Sequence, residues 1–445
     1  MPARWMLYSH DTLGLGHVRR TIAIARAVIA GRSDLSALLV TCSPMVDSLP
    51  MPPGLDYMKL PSASKAGPGE YEPRTLAVER ERFCGLRAAA LRETCAAFSP
   101  HLLLVDKSPL GLMGELTDAL AALHSSGQAR MVVGWRDILD SPAAVHDEWQ
   151  RQGTLDVLER RYDEIWVYGD PEVFDVRERY HLPPPIADRV HHLGYLAPRI
   201  TDHERARVRE ALNVNGEALA VVTVGGGEGG ERVLETYLEA GRRHLLPTDM
   251  RTVVVTGPFM PEATRRRLAA GASSGTRVMA FVPGLEHLIA AADVVIGRAG
   301  YNTVCEAFGG ETPAVLVPRV LHRDEQVIRA RRFAELGLAE VVEEPELMPW
   351  SLAEAVRRGL WRRRPARPPV KLDGLEEVRR RVLGLLPGVN GPGGPSAPSH
   401  ERSVRPAVVG AAEEELRIWD PSPLLEEFDQ LALGQTTPAD GSGAA

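Results

Sequence analysis

Cysteine is scarce in this 445-residue chain. Cys42, Cys84, Cys95 and Cys305 are the only four, no two form C-x-x-C, and no Cys/His spacing suits zinc. That excludes a disulfide framework and a structural zinc site, and leaves the four as small buried hydrophobes. Long apolar runs are missing too. None reaches the roughly 18 residues that cross a bilayer, and the opening MPARWMLYSHD lacks the apolar stretch of a signal peptide. The expected location is the cytoplasm, with peripheral contact at a membrane as the alternative. Nor is there an excess of positive charge. The net charge is −7, yet residues 388–445 hold nine acids and three arginines, which leaves 50 acids against 49 bases in 1–387. A neutral body has no basic face, so no nucleic-acid partner is expected. The local exception, RRGLWRRRPAR at 357–367, fits a solvated helix end, with anionic lipid or RNA as the alternative.

What the chain does have is a large core and a repeating order of elements. It is 44% hydrophobic and 25% charged. ARWMLYS, LLLVD (102–106), MVVGW (131–135) and EIWVYG (164–169) are strand-like, with amphipathic helical runs at 17–30, 75–98 and 112–124. The pattern restarts after residue 198 with ALAVVTVG (218–225), RTVVVTG (251–257), TRVMAFV (276–282), ADVVIG (292–297) and PAVLVP (313–318). Such alternation predicts α/β architecture: two Rossmann-like, doubly wound domains, over 1–198 and 199–387. Residues 388–445 turn rich in Gly, Pro, Ser and Ala and predict a disordered acidic tail. Within it Ser422, Pro423, Leu424, Leu425, Phe428 and Leu431 spell a short amphipathic helix over 422–432. So brief a helix needs a groove, on this chain's own body or on a protein partner.

Three stretches carry chemistry. SHDTLGLGHVRRTIAIARAV (9–28) sets Gly14, Gly16 and His17 between a strand and a helix. VVTVGGGEGGERVLETYL contains G-x-G-x-x-G at 225–230, but the next strand ends in Thr256 where a dinucleotide fold needs an acid. No Lys-Ser or Lys-Thr follows the glycines, which excludes a P-loop. Gly225, Gly226, Gly227 and Gly229 fit either a phosphate-binding turn at a helix N-terminus or a plain tight turn. The third stretch, 281–326, places Arg298, Gly300 and Asn302 beyond a strand, Glu306 in the next helix, and His322, Asp324 and Gln326 beyond the following strand. In an open parallel sheet these are the ends where ligands bind. Glu306 suits the vicinal hydroxyls of a ribose, and Asp324 with Gln326 suits sugar hydroxyls. Taken singly, Glu306 also fits a surface acid and Asp324 a helix N-cap.

RAGYNTVCEA, PAVLVPRVLHRDEQ, GGGEGG and GLGH together resemble glycosyltransferase family 28, whose fold is GT-B. The family includes the N-acetylglucosaminyl transferase of peptidoglycan lipid synthesis and the monogalactosyldiacylglycerol synthases. The resemblance covers about residues 5–386 and is most specific over 281–326. It implies a glycosyltransferase whose donor is a nucleoside diphospho-sugar, with uridine the expected base, and whose acceptor is an unidentified hydroxyl. Phe281 and the Val282 backbone would meet the base, and Glu306 the ribose. Gly225 to Gly229 and the turn from Gly300 to Thr303 would meet the diphosphate, and Asp324 with Gln326 the sugar. Glu228 departs from the pattern as an anion beside the expected diphosphate.

On this reading the loop at Gly14 and Gly16 faces the cleft from the acceptor side, and His17 is the base. The positive end of its helix disfavours imidazolium and keeps the ring neutral. A structural helix cap is the alternative. Asp106 and Asp137 are reserve bases or holders of His17, with an ordinary N-cap as the alternative for either. Arg298 would stabilise the departing diphosphate. No D-x-D occurs, so no metal and no cofactor are expected, and the transfer would be inverting. Two other functions share the pattern: a nucleotide-sugar 2-epimerase or hydrolase, and a non-catalytic nucleotide-sugar-binding subunit.

Overall fold

The N-terminal strand, β1 (Ala3–Tyr8), buries five of its six side chains because strands flank it on both sides. The computed structural model describes residues 2–11, 14–67, 70–227, 229–320, 323–362 and 369–389. Glu228, His322 and the tail helix expected at 422–432 lie outside them.

β1 pairs in parallel with β2 (Leu35–Thr41), which pairs with β3 (Leu55–Lys59). A hairpin of β4 (Ala63–Gly67) and β5 (Glu70–Pro73) follows. On its other edge β1 pairs with β6 (Leu102–Asp106), and β7 (Arg130–Arg136), β8 (Glu164–Tyr168) and β9 (Val190–His192) extend the sheet. The strand order is β3-β2-β1-β6-β7-β8-β9. The second sheet comprises β10 (Ala218–Thr223), β11 (Met250–Val255), β12 (Thr276–Met279), β13 (Val294–Gly297), β14 (Ala314–Leu316) and β15 (Ala339–Val341). Its order is β12-β11-β10-β13-β14-β15, parallel throughout.

Each sheet grows one way from its first strand and then reverses. The reversals lie between β1 and β6 and between β10 and β13, and at such switch points the carboxyl ends of the strands open a crevice. The loop holding Gly14, Gly16 and His17 leaves β1, and Asp106 ends β6. The glycine loop leaves β10, and Arg298 leaves β13. The two-sheet α/β expectation therefore holds, and it puts the singled-out residues at the crevices.

Two departures have plain causes. The run 75–98 becomes helical only at Arg80–Phe98, since Glu79 keeps extended backbone (ψ 151°) and starts the helix there. The helix Gly374–Leu385 lies in the second half of the chain but packs on the first domain. Its approach is fixed by backbone bonds between Tyr195 and Lys371 (2.8 Å) and between Gly374 and Tyr195 (3.1 Å), and by Arg381 to Glu164 at 3.0 Å. Val378 and Val382 are fully buried there. Among the described residues no helix is long and apolar enough to cross a membrane.

Candidate active site

The helix Gly16–Ile29 begins one residue before His17, with no side-chain cap on Leu15 before it. Its apolar residues Val18, Ile22, Ala25 and Ile29 recur at helical spacing and are buried, which turns His17 and Arg20 toward the end of β6. There His17 Nδ1 lies 2.5 Å from Asp106 Oδ2. Arg20 donates to the other oxygen, Oδ1, from Nη2 at 2.6 Å and from Nε at 3.1 Å. Asp106 can only accept, so its bond to the ring requires the hydrogen on Nδ1 and leaves Nε2 with its lone pair; Arg20 Nη2, 2.9 Å from the same nitrogen, is then a close neighbour and its hydrogen bonds go to Asp106. Burial pushes the imidazole down to about 4, the Asp106 carboxylate pulls the other way, and Arg20 adds to the lowering. The Asp106 carboxyl is itself held well below the usual range, because Arg20 and His17 outweigh its burial. A neutral imidazole oriented by a carboxylate is the state a general base requires.

Asp137, the other reserve base, is placed elsewhere. Arg329 holds both its oxygens, at 2.6 and 2.8 Å, and the Tyr195 hydroxyl donates to it at 3.0 Å. It is buried, and through Arg329 it ties the end of β7 to the second-domain helix Glu325–Glu335. Asp140 adds to that tie by accepting from the Asp324 backbone at 2.8 Å.

Gly14 and Gly16 do not need their glycine for conformation: neither has a positive φ, and a Cβ on either would meet nothing within 4 Å. Open space adjoins them. The second-domain loop is the opposite case. Gly227 has φ +106°, and a Cβ there would come within 2.8 Å of the Thr256 carbonyl, so the turn itself demands glycine.

Across the cleft, Asn302 Nδ2 donates to the Gly16 carbonyl at 3.1 Å. Gly300 caps the helix Tyr301–Gly309, so the free amides of that first turn, with Thr303, face the His17 loop. Glu306, one turn on, is buried. Its Oε1 accepts from Arg19 at 2.7 Å and its Oε2 has no hydrogen-bond partner. Burial pushes its carboxyl up to about 7, against the pull of Arg19. A cavity of about 160 Å³ opens here between the domains, lined by Arg19, Phe281, Val282, Glu286, Asn302 and Glu306 among others.

Arg298 is already engaged by its own domain. It donates to Glu344 Oε1 at 2.6 Å, to the Val317 carbonyl at 3.3 Å and to the Gly229 carbonyl. Its charge is balanced by Glu344, and it fastens the glycine loop from behind. Asp324 is exposed, and its side chain forms no capping bond. Gln326 is buried, and its Oε1 accepts from the Arg319 backbone at 3.1 Å, which leaves its amide nitrogen to donate.

Sequence reasoning missed Arg19, Arg20, His10 and Lys107. The i, i+3 spacing of His17 and Arg20 was a usable signal for Arg20. His10 lies 5.4 Å from His17 between ring centres, and burial pushes Lys107, next to Asp106, down to about 7.

Two parallel α/β domains with facing switch points define the GT-B class. A UDP-N-acetylglucosamine 2-epimerase structure from Listeria monocytogenes superposes with a TM-score of 0.57 over 86% of this chain and 96% of its own, at 14% identity. MurG of Acinetobacter baumannii superposes at 0.50 over 85% and 94%, at 15% identity. Residues 220–367, most of the second domain, match the model of the glycosyltransferase family 28 C-terminal domain. In sequence the chain is 32% identical over 172 residues to the UDP-N-acetylglucosamine--N-acetylmuramyl-(pentapeptide) pyrophosphoryl-undecaprenol N-acetylglucosamine transferase of Phenylobacterium zucineum, covering 38% of this chain and 45% of the relative. The enzyme of the same name from Natranaerobius thermophilus is 27% identical over 156 residues, covering 34% and 42%. The chain thus matches less than half the length of these curated relatives.

Proposed function

We propose that the chain is an inverting, metal-independent glycosyltransferase that moves a sugar from a nucleoside diphospho-sugar to a hydroxyl acceptor. The observation that carries this is the His17–Asp106 pair at one switch point facing, through Asn302 and Gly16, the Glu306 pocket at the other. His17 Nε2 takes the acceptor proton as the acceptor oxygen bonds to the anomeric carbon. The bond from that carbon to the diphosphate oxygen breaks on the opposite face, which inverts the centre and releases the nucleoside diphosphate. Asp106 holds the ring and stabilises the imidazolium that forms. The amides at Gly300–Thr303 and the glycine loop meet the growing charge on the leaving group.

Glu306 suits the ribose hydroxyls, Val282 and Phe281 the base, and the Gln326 amide a sugar hydroxyl. Uridine is the proposed base, because the two curated relatives are named for UDP-N-acetylglucosamine. The enzyme would act in the cytoplasm. Product analysis with donor alone is the test. A transferase returns the donor largely unchanged until an acceptor is added. Accumulation of a 2-epimer or of free sugar without acceptor overturns the proposal.

A further inference from the structure

The pocket proposed for the ribose already holds a guanidinium. Arg19, on the first-domain helix, donates from Nη2 to Glu306 Oε1 at 2.7 Å and to Glu286 Oε2 at 3.3 Å. Both acids belong to the second domain, so this one side chain bridges the cleft. Neither the family motif nor the spacing of residues marked it.

Two facts make the contact more than a surface ion pair. The Glu306 side chain is only 8% exposed, and its other oxygen has no partner. The two vicinal hydroxyls of a ribose engage both oxygens of a carboxylate, so one of them competes with Arg19 for Oε1. Donor binding then loosens the guanidinium from Glu306. The Arg19 side chain is 27% exposed and rooted one turn from Gly16, so it has room to swing but not to leave the cleft. Glu306 stands four residues beyond Asn302 on the same helix, which puts the first-turn amides roughly 6 Å away at a rise of about 1.5 Å per residue, within an arginine's sweep. Those amides are the proposed seat of the diphosphate. The cation expected there, Arg298, is held instead by Glu344 and the Gly229 carbonyl.

We propose that Arg19 is exchanged on donor binding: the ribose replaces it on Glu306, and the freed guanidinium pairs with the donor's diphosphate. Arg19 is then a specificity-determining residue, which makes the site prefer nucleoside diphosphates over nucleosides. Its withdrawal from Glu306 is coupled to the arrival of the ligand that gives its charge a new partner. This rests on the donor-site reading above.

The test is calorimetry on the full chain with uridine, guanosine, adenosine and thymidine and their diphosphates, at pH 8 and fixed salt. The wild type should bind one diphosphate at least 30-fold more tightly than its nucleoside. Arg19→Gln should cut that ratio about 10-fold while the nucleoside binds as well as before or better, its competitor on Glu306 being gone. Arg19→Lys, which keeps the charge, should recover part of the ratio. If Arg19→Gln tightens nucleoside and diphosphate equally, the residue is only a plug and the exchange is refuted. If the wild type binds none of these ligands, the donor-site reading falls first, and the exchange with it.

Discussion

His17 and Asp106 stand 89 residues apart in sequence and 2.5 Å apart in space, because one follows β1 and the other ends β6, the two strands between which the first sheet reverses. The pair therefore follows from topology, and its consequences can be measured.

Replacing His17 by alanine should lower turnover about 100-fold or more while donor affinity stays nearly intact, since a general base acts on the acceptor. Single-turnover kinetics alongside calorimetry separate the two. Full turnover in the folded variant would remove His17 from the chemistry, and Asp106 would then be the next base to test.

Glu306 sets a pH dependence of opposite sign to an ordinary acid's. Burial raises its carboxyl to about 7, so between its ordinary value of 4.5 and that point the free folded chain holds a proton the unfolded chain has lost. Its contribution to stability is accordingly lost as pH rises through about 7. Ribose binding favours the ionised form, so donor affinity should fall as pH drops below about 7 and level off above it. Glu306→Ala should weaken donor binding by about 1–3 kcal/mol and flatten this profile. An affinity constant from pH 5.5 to 8 in the wild type would take Glu306 out of the site.

Arg298 should behave as a fastener. Arg298→Ala leaves the Gly229 carbonyl and Glu344 without their donor, which costs roughly 2–3 kcal/mol and lowers Tm by several degrees. A direct diphosphate ligand would give the reverse: unchanged Tm with lost diphosphate affinity.

The C-terminal boundary makes a paired prediction. Ending the chain at residue 387 should leave folding and donor binding intact, since every proposed donor contact lies earlier and Leu386 keeps its buried place. Ending it at 370 should unfold the first domain, because Val378, Val382 and Leu383 would no longer cover the helix Gly16–Ile29. Circular dichroism melts of both proteins decide this.

Local pattern and long-range partnership account for what the sequence showed and what it hid. The apolar strands, the glycine turns and the placing of Arg298, Glu306 and Gln326 beyond strands of the second sheet are local, and they were legible. The partners that hold Arg298 were not legible because they are Glu344, 46 residues on, and a backbone carbonyl 69 residues back. Asp137 read as a reserve base because nothing near it announces Arg329, 192 residues away. β2, LSALLVT, was legible as an apolar run and was not singled out, whereas β9 and β15 have three residues each, too few for alternation to show. The return of Gly374–Leu385 to the first domain is written only in contacts such as Arg381 to Glu164.

Thermal unfolding of the full chain against a panel of nucleoside diphospho-sugars tests the central claim most directly. A ligand that binds the folded state and is held at 100 times its dissociation constant adds about 2.7 kcal/mol of stability. The account predicts that at least one such donor, a UDP-sugar first, raises the Tm of the wild type and fails to do so for Glu306→Ala. No shift with any donor of the panel, or an equal shift in wild type and Glu306→Ala, would contradict it.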